Sequence, residues 1–256
     1  MKEEERTIMK KIYIIFILLC SCFLLNAQTK AQADDAYAKK NFAKAAQIYE
    51  ELLQKNGESA DVYNNLGNSY YKQNEIAKAI LNYERALLLN PGDNDTRASL
   101  EFVKSKTVDK ITPASEMFFI TWTKDLINTQ SEKSWANLAI VTFIITLLMV
   151  ALYIFGNKVI YRKIGFISAI AMLVICLTSN VFAYEKKTEL ISHDSAIIMT
   201  PSVPIKNTPN GEGTDLFVLH EGTKVTIKDN TMKNWKEIKL EDGNVGWVQT
   251  KDIEII

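Results

Sequence analysis

The 256-residue sequence predicts a multi-domain membrane protein with an all-α repeat solenoid, two transmembrane helices and a small all-β barrel. Three observations predict these classes: a pattern that recurs at a fixed period, two uncharged apolar runs, and a C-terminal series of short β-favouring segments. Zero formal net charge and the absence of a basic stripe outside the membrane link argue against a nucleic-acid partner. We expect a signal peptide at 1–27, the repeat array and its capping helix at 28–106, an amphipathic interfacial segment at 107–134, the transmembrane hairpin at 135–184 and the barrel at 185–256.

The N-terminus is typical of a secretory signal peptide. A lysine pair precedes the apolar stretch Ile12–Leu19, and Ala27 is a small residue suited to signal peptidase. Two alternatives stay open. Met9 is a second candidate start, which would make the preceding residues an upstream extension, and Cys22 is a candidate lipidation site that would anchor the mature N-terminus.

The first half of the chain repeats itself with a period of about 34 residues, the length of a helix–turn–helix repeat unit. Four residues of the first copy recur in the second, namely Tyr37 as Tyr71, Ala45 as Ala79, Tyr49 as Tyr83, and Leu53 as Leu87. Residues 60–93 resemble a tetratricopeptide repeat, because its large, small and terminating positions hold Tyr63, Leu66, Gly67, Tyr70, Ala79, Tyr83, Ala86 and Pro91. With Asn94–Lys106 as a capping helix, the array has about two and a half repeats.

The first helix of each repeat lines the concave face of such an array. The resemblance implies that this face binds extended peptides or partner helices. The candidate binding residues are Asp34, Tyr37, Asp61, Asn64, Asn68, Tyr71 and Lys72. The alternative is that these residues are a solvated helix surface on an array too short to hold a peptide alone.

An aromatic segment, Ser115–Ile127, separates the array from the membrane region. It carries few charges and is too short to span a bilayer. We expect an amphipathic helix at the outer membrane–water boundary, with Trp122 and Trp135 as interfacial anchors. The alternative is packing of this helix against the repeat array.

Two apolar runs, Ala136–Phe155 and Ile164–Tyr184, are each long enough to cross a bilayer as a helix. The link between them carries Lys158, Arg162 and Lys163 and no acidic residue. The positive-inside rule therefore places the link in the cytoplasm and both flanking regions on the far side. We expect a bacterial inner-membrane protein whose N- and C-terminal domains are periplasmic.

Short β-favouring runs alternate with turn residues after Ser192. The predicted strands are Asp215–His220, Lys224–Lys228, Trp235–Leu240 and Gly246–Gln249. Five or six such strands predict a closed or nearly closed barrel. The order of Phe217, Trp235 and the Gly-Trp-Val at Trp247 resembles the bacterial SH3-like domain, whose relatives bind cell-wall peptides or other peptides. That resemblance makes Phe217, Trp235 and Trp247 a candidate groove, and the alternative is that the tryptophans belong to the core.

No motif indicates catalysis, a metal site or a cofactor. His193 and His220 are the only histidines, and neither stands in a metal-binding or nucleophile motif. Cys176 lies within the second apolar run, so neither exported region can form an internal disulfide or a cysteine metal site. We therefore expect no catalytic residue, no metal and no cofactor.

The order of these modules resembles the BatE family of Bacteroides aerotolerance proteins. The resemblance covers the mature chain and depends on the module order and on Glu116–Trp122 before the hairpin. It implies an association with other Bat membrane proteins in an envelope complex, and it supplies no reaction. We therefore expect a non-enzymatic scaffold or adaptor. The alternative is a cell-wall-associated factor whose SH3-like domain binds peptidoglycan and whose repeats recruit or regulate a hydrolase. A channel component is a third reading, against which the absence of charges in the two apolar runs argues.

Overall fold

The computed structural model describes residues 30–115 and 117–256. The predictions that concern residues 1–27, namely the signal peptide, a start at Met9 and lipidation of Cys22, lie outside this part of the chain. Helix α1 includes residues 30–38. The next helices are α2 Phe42–Asn56, α3 Ala60–Lys72, α4 Ile76–Leu89 and α5 Asn94–Lys104.

These five helices form the repeat array. α1 pairs with α2, and α3 pairs with α4. α1, α2 and α3 share a core of mostly small and apolar side chains, namely Ala33, Ala36, Ala45, Ala46, Tyr49, Leu52, Val62 and Leu66. Gly67 and the fully buried Ala79 let the second pair approach closely, because a Cβ atom at Gly67 would lie 2.8 Å from Cε1 of Tyr83. The Asp93 carboxylate accepts hydrogen bonds from the N–H groups of Asp95 and Thr96 and so begins α5.

Two long helices follow the aromatic helix α6 Phe118–Ile127: α7 Glu132–Phe155 and α8 Val159–Ser192. Both are long and apolar enough to cross a membrane. Small residues line their mutual contact, including Ala139, Thr142, Thr146, Gly165, Ala169 and Cys176. Thr142 donates its hydroxyl to the Leu138 carbonyl at 2.8 Å, so this polar group is satisfied within its own helix. α8 continues to Ser192, past the end of its apolar run at Tyr184, and leads directly into the β domain.

The C-terminal domain is one antiparallel sheet of seven strands. They are β1 Ser195–Ile198, β2 Ser202–Lys206, β3 Asp215–His220, β4 Lys224–Asp229, β5 Trp235–Lys239, β6 Val245–Gln249 and β7 Ile253–Ile255. Their spatial order is β3-β2-β6-β5-β4-β1-β7, so β3 and β7 are edges and the sheet is open. The four predicted strands form as β3 to β6, whereas the predicted closure into a barrel is not observed.

The two edges of the open sheet have different surroundings. β2 pairs with β6 at a single position, Lys206 opposite Trp247. Pro204 has no N–H to donate, and it stands in the part of β2 that pairs with β3 alone. At the opposite edge, Arg85 of α4 donates a hydrogen bond to the Ile255 carbonyl at 2.6 Å, so β7 faces the array instead of β3.

The sheet and the array share a hydrophobic core. Ile197 of β1 and the C-terminal Ile256 are buried together with Ile80, Leu100 and Val103 of α4 and α5. This contact buries apolar side chains of α4 and α5 against the sheet. The two modules therefore pack as neighbours instead of hanging from separate linkers.

A buried carboxylate lies beside this shared core. The two Glu84 oxygens lie 2.6 Å from Lys104 Nζ of α5 and 2.7 Å from Lys224 Nζ of β4. We call Glu84, Lys104 and Lys224 the Glu84 cluster. It joins α4 and α5 of the array to strand β4, whose Lys224 is 140 residues after Glu84 in the sequence.

The segment after α5 lies against the sheet. Asp109 accepts hydrogen bonds from the His220 N–H and the Thr223 hydroxyl, both at 2.7 Å, and Ile111 packs against the core of the sheet. Ala114 donates its N–H to the Glu241 carbonyl at 2.9 Å. The path from the array to α6 is thus fixed along the β domain.

Candidate protein-binding face

The seven candidate residues of the array occupy the first helices of the two repeats. Asp34 and Tyr37 lie on α1, and the others lie on α3 at Asp61, Asn64, Asn68, Tyr71 and Lys72. Spacings of three and four residues place each set on one side of its helix. We call this surface the first-helix face.

Two buried tyrosines order the middle of the first-helix face. Tyr49 donates its hydroxyl to Asp34 Oδ1 at 2.5 Å, and Tyr83 donates to Asn68 Oδ1 at 2.7 Å. Both tyrosines belong to the second helices and are almost fully buried. Burial, and for Tyr49 also the bond to Asp34, raises the pKa of each tyrosine, so both keep their protons and act as donors.

The two bonds are equivalent under the repeat. The two donors are one repeat period apart in the sequence, and so are the two acceptors. Asp34 has its second carboxylate oxygen on Lys30 Nζ at 3.1 Å, so both of its oxygens are engaged. Asn68 differs, because none of the described residues accepts a hydrogen bond from its side-chain NH₂ group. That group is a donor at the centre of the face.

The end of the face near α5 is aromatic and basic. Lys106 donates to the Tyr71 hydroxyl at 2.6 Å, and its Nζ lies 4.7 Å from the ring centroids of both Tyr71 and Phe102. Lys72 Nζ lies 5.7 Å from the Tyr71 centroid. Phe102 and Lys106 were not among the predicted site residues. The repeat could have found them, because they stand one full period after Asn68 and Lys72.

The remaining residues of the face have distinct environments. Tyr37 packs edge-on against Phe42 with ring centroids 5.2 Å apart. Asp61 is exposed in the first turn of α3, where its negative charge interacts favourably with the helix dipole. Asn64 Oδ1 is buried and has no hydrogen-bond partner among the described residues. Its incomplete hydrogen bonding has a free-energy cost of about 1–3 kcal/mol.

The three candidate groove residues of the β domain do not form one group. Trp247 lies opposite Glu237, and Trp235 is two residues from Glu237 on the same strand, so both tryptophans point to the same outer side of the sheet. Both are half-buried. Phe217 pairs with the buried Ile205 and packs against the core, on the other side. The candidate groove therefore reduces to Trp235 and Trp247.

The histidines have structural neighbours. His220 Nδ1 lies 2.8 Å from Asp109 Oδ1, where it holds the segment after α5. Burial alone would raise the pKa of Asp109, but its hydrogen bonds with His220 and Thr223 lower it. His193 has a left-handed backbone at the end of α8, with φ 49°. Within residues 30–115 and 117–256, no group of three or more His, Cys, Asp or Glu side chains is placed to hold a metal ion.

Comparison with known proteins supports the repeat assignment. Residues 60–93 match the tetratricopeptide repeat family, a stretch that contains α3, α4 and the turn to α5. The match includes every candidate residue of the first-helix face from Asp61 to Lys72. No curated protein matches the chain. The chain therefore contains a tetratricopeptide repeat, a module that generally mediates contacts between proteins.

Proposed function

We propose that the protein is a non-enzymatic scaffold or adaptor of the bacterial inner membrane, which presents two binding modules to the periplasm. The observation that carries the proposal is the first-helix face. It is a polar surface whose α3 part lies within a tetratricopeptide repeat, and buried tyrosines order its central side chains. Such pre-organisation lowers the entropy that binding has to overcome.

The charges of the face favour one kind of ligand. Lys72 and Lys106 lie at the Tyr71 end, and Asp61 lies near the start of the same helix. An extended peptide with an acidic group at one end complements this distribution. The NH₂ group of Asn68 is placed to donate to a peptide carbonyl in between.

Support for the membrane location comes from α7 and α8. Most of their large apolar side chains face away from the helix pair, as expected of lipid-facing residues. Support for the orientation comes from the basic link with Lys158, Arg162 and Lys163, which we place in the cytoplasm. Both domains then lie in the periplasm.

We further propose that the partners are other membrane proteins of a Bat aerotolerance complex. This proposal depends on the order of modules that the sequence shares with the BatE family. In it, the seven-stranded sheet takes the place of the SH3-like domain, with an open edge where a barrel would close.

A second candidate function is favoured by the outer side of the sheet. Trp235 and Trp247 are half-exposed there at diagonal positions of the adjacent strands β5 and β6, an arrangement suited to stacking against sugar rings or peptides. In that case the domain binds peptidoglycan and the repeats recruit or regulate a hydrolase.

Charge reversal on the first-helix face tests the scaffold proposal. We expect the variant Lys72→Glu with Lys106→Glu to lose the proteins that co-migrate with the full-length protein after mild detergent extraction, with a reduction of roughly tenfold. Lys44→Glu, an exposed lysine on α2, is the matched control. Equal recovery from both variants, or migration of the unaltered protein as a lone monomer, would contradict the proposal.

Sedimentation with purified peptidoglycan tests the second candidate. If the sheet binds the wall, the full-length protein sediments with it, and Trp247→Ala reduces this while Lys72→Glu with Lys106→Glu does not. Circular dichroism of each variant in detergent shows whether the sheet is still folded. Binding that depends on the tryptophans would move the cell-wall factor ahead of the scaffold.

A further inference from the structure

No side chain of the aromatic helix α6 is fully buried. Phe118, Phe119 and Trp122 are 83%, 60% and 59% exposed, respectively, and the preceding Met117 is also exposed. Four large apolar side chains in six consecutive positions form an apolar patch of a kind that marks a contact surface. The alternative of packing against the array does not account for these side chains, because they remain exposed beside it.

The side chains of α6 are segregated around the helix. At 100° per residue, one half of the surface holds Phe118, Phe119, Trp122 and Leu126, and the opposite half holds Thr121, Lys124 and Asp125 together with the partly buried Ile120. Thr123 falls within the apolar half, but its hydroxyl donates to the Phe119 carbonyl at 2.7 Å. The apolar half therefore exposes little unsatisfied polarity.

The end of α6 is fixed to the end of the hairpin. Trp135 of α7 donates its indole N–H to the Ile127 carbonyl at 3.0 Å, and its ring lies 5.0 Å from that of Phe182 on α8. Lys186 of α8, itself almost fully buried, donates to Asn128 Oδ1 at 2.8 Å. Trp135 immediately precedes the apolar run of α7, so the contact lies where the hydrocarbon region would begin.

We propose that α6 lies in the interfacial layer of the periplasmic leaflet, with its aromatic half against the acyl chains. This inference depends on the proposed membrane location of α7 and α8. Ten helical residues extend about 15 Å, so a helix that ends at Ile127 stays close to the bilayer surface if it lies along it. Tryptophan and phenylalanine beside a polar helix half are the composition that such surface helices use. We assign the lipid surface as the partner of the apolar half because α6 is fixed to the end of the hairpin, next to the bilayer that the hairpin would span.

Site-directed spin labels measure the depth of α6. The full-length protein without its native cysteines is reconstituted in vesicles of phosphatidylethanolamine and phosphatidylglycerol. Single cysteines then replace Trp122 on the apolar half, the adjacent Thr121 on the polar half, and the outward-facing Ile144 in the middle of α7. We expect a label at Trp122→Cys to collide several-fold more with oxygen than with a water-soluble nickel chelate, and the order to reverse at Thr121→Cys.

The three labels separate the inference from the proposal on which it depends. If the label at Ile144→Cys collides mainly with oxygen and the label at Trp122→Cys mainly with the nickel chelate, the surface position of α6 is overturned and the spanning hairpin is retained. If the label at Ile144→Cys also collides mainly with the nickel chelate, the surface position of α6 and the membrane-spanning hairpin are both overturned. A second measurement keeps the aromatic ring in place: brominated lipids should quench the fluorescence of the otherwise unaltered protein, and Trp122→Phe should remove part of that quenching. Equal quenching of both proteins would contradict the inference.

Discussion

Removal of the Glu84 charge is a direct test of the junction between array and sheet. The change Glu84→Gln keeps the size of the side chain and removes the negative charge that Lys104 and Lys224 share. Burial alone would raise the pKa of Glu84, but the ammonium groups of Lys224 and Lys104 lower it from 4.5 to about 2. A lowering of the pKa of this size corresponds to about 3 kcal/mol. Lys104 and Lys224 are 38% and 33% exposed, so solvent screens part of the effect, and we expect a loss of about 2 kcal/mol.

Thermal unfolding of the full-length protein in detergent measures this loss. At neutral pH, the transition that the sheet tryptophans report should fall by roughly 4–8 °C in Glu84→Gln. Glu75→Gln is the matched control, because Glu75 is half exposed and lies 3.3 Å from Lys78 at the start of the same helix. An exposed pair of this kind contributes less than about 1 kcal/mol. Equal shifts in the two variants would refute the argument.

The pH dependence of stability is an independent test of the same prediction. The folded-state pKa of Glu84 is below its unfolded value, so its stabilising contribution is complete above about pH 4.5 and is lost as the pH falls towards about 2. Unaltered protein should therefore lose stability faster than Glu84→Gln over that interval, and the two melting temperatures should converge. Asp93 and Asp109 also have lowered pKa values, but they are present in both proteins and cancel in the comparison. Parallel curves would mean that the cluster does not stabilise the junction.

Two further predictions concern topology and the repeat core. In spheroplasts, a membrane-impermeant maleimide should label Asn210→Cys in the exposed β2–β3 turn, and should label Asn157→Cys in the basic link only after permeabilisation; the reverse order would overturn the proposed orientation. Gly67→Leu should lower the melting temperature of the array by the equivalent of roughly 1–3 kcal/mol, because its Cβ would already lie 2.8 Å from the Tyr83 ring, whereas the exposed Lys72→Ala should have little effect.

The repeat array was the most predictable part of the fold. Its period places Gly67 against Tyr83 and ends the second helix before Pro91, and these are local steric requirements that a sequence records directly. The same period also carried information that simple matching of large and small positions missed. The hydrogen bond from Tyr49 to Asp34 recurs one period later as that from Tyr83 to Asn68. The same period adds Phe102 and Lys106 to the first-helix face.

The sheet and the junction were less predictable, because they depend on long-range pairing. β1 and β7 have only four and three residues. β2 contains a proline, which argues against a central strand, and its pairing with β6 at one position is not visible in the sequence. Phe217 resembles the tryptophans in composition, and only the register with Ile205 shows that it faces the core. Nothing local to Glu84 indicates a lysine 140 residues away.

The junction between the array and the sheet determines how the two proposed binding modules would act together. If flexible linkers joined them, their joint effect on a partner would depend on linker length through the effective concentration. Here the shared core at Ile197 and Ile256 and the bond from Arg85 to Ile255 fix the sheet on the array. α8 enters β1 after only His193 and Asp194, so the sheet is also held close to the C-terminal end of α8. The first-helix face and the outer tryptophans are then two surfaces at a set separation. A partner that uses both has to match that separation, so loosening the Glu84 cluster should weaken such a partner without altering either surface.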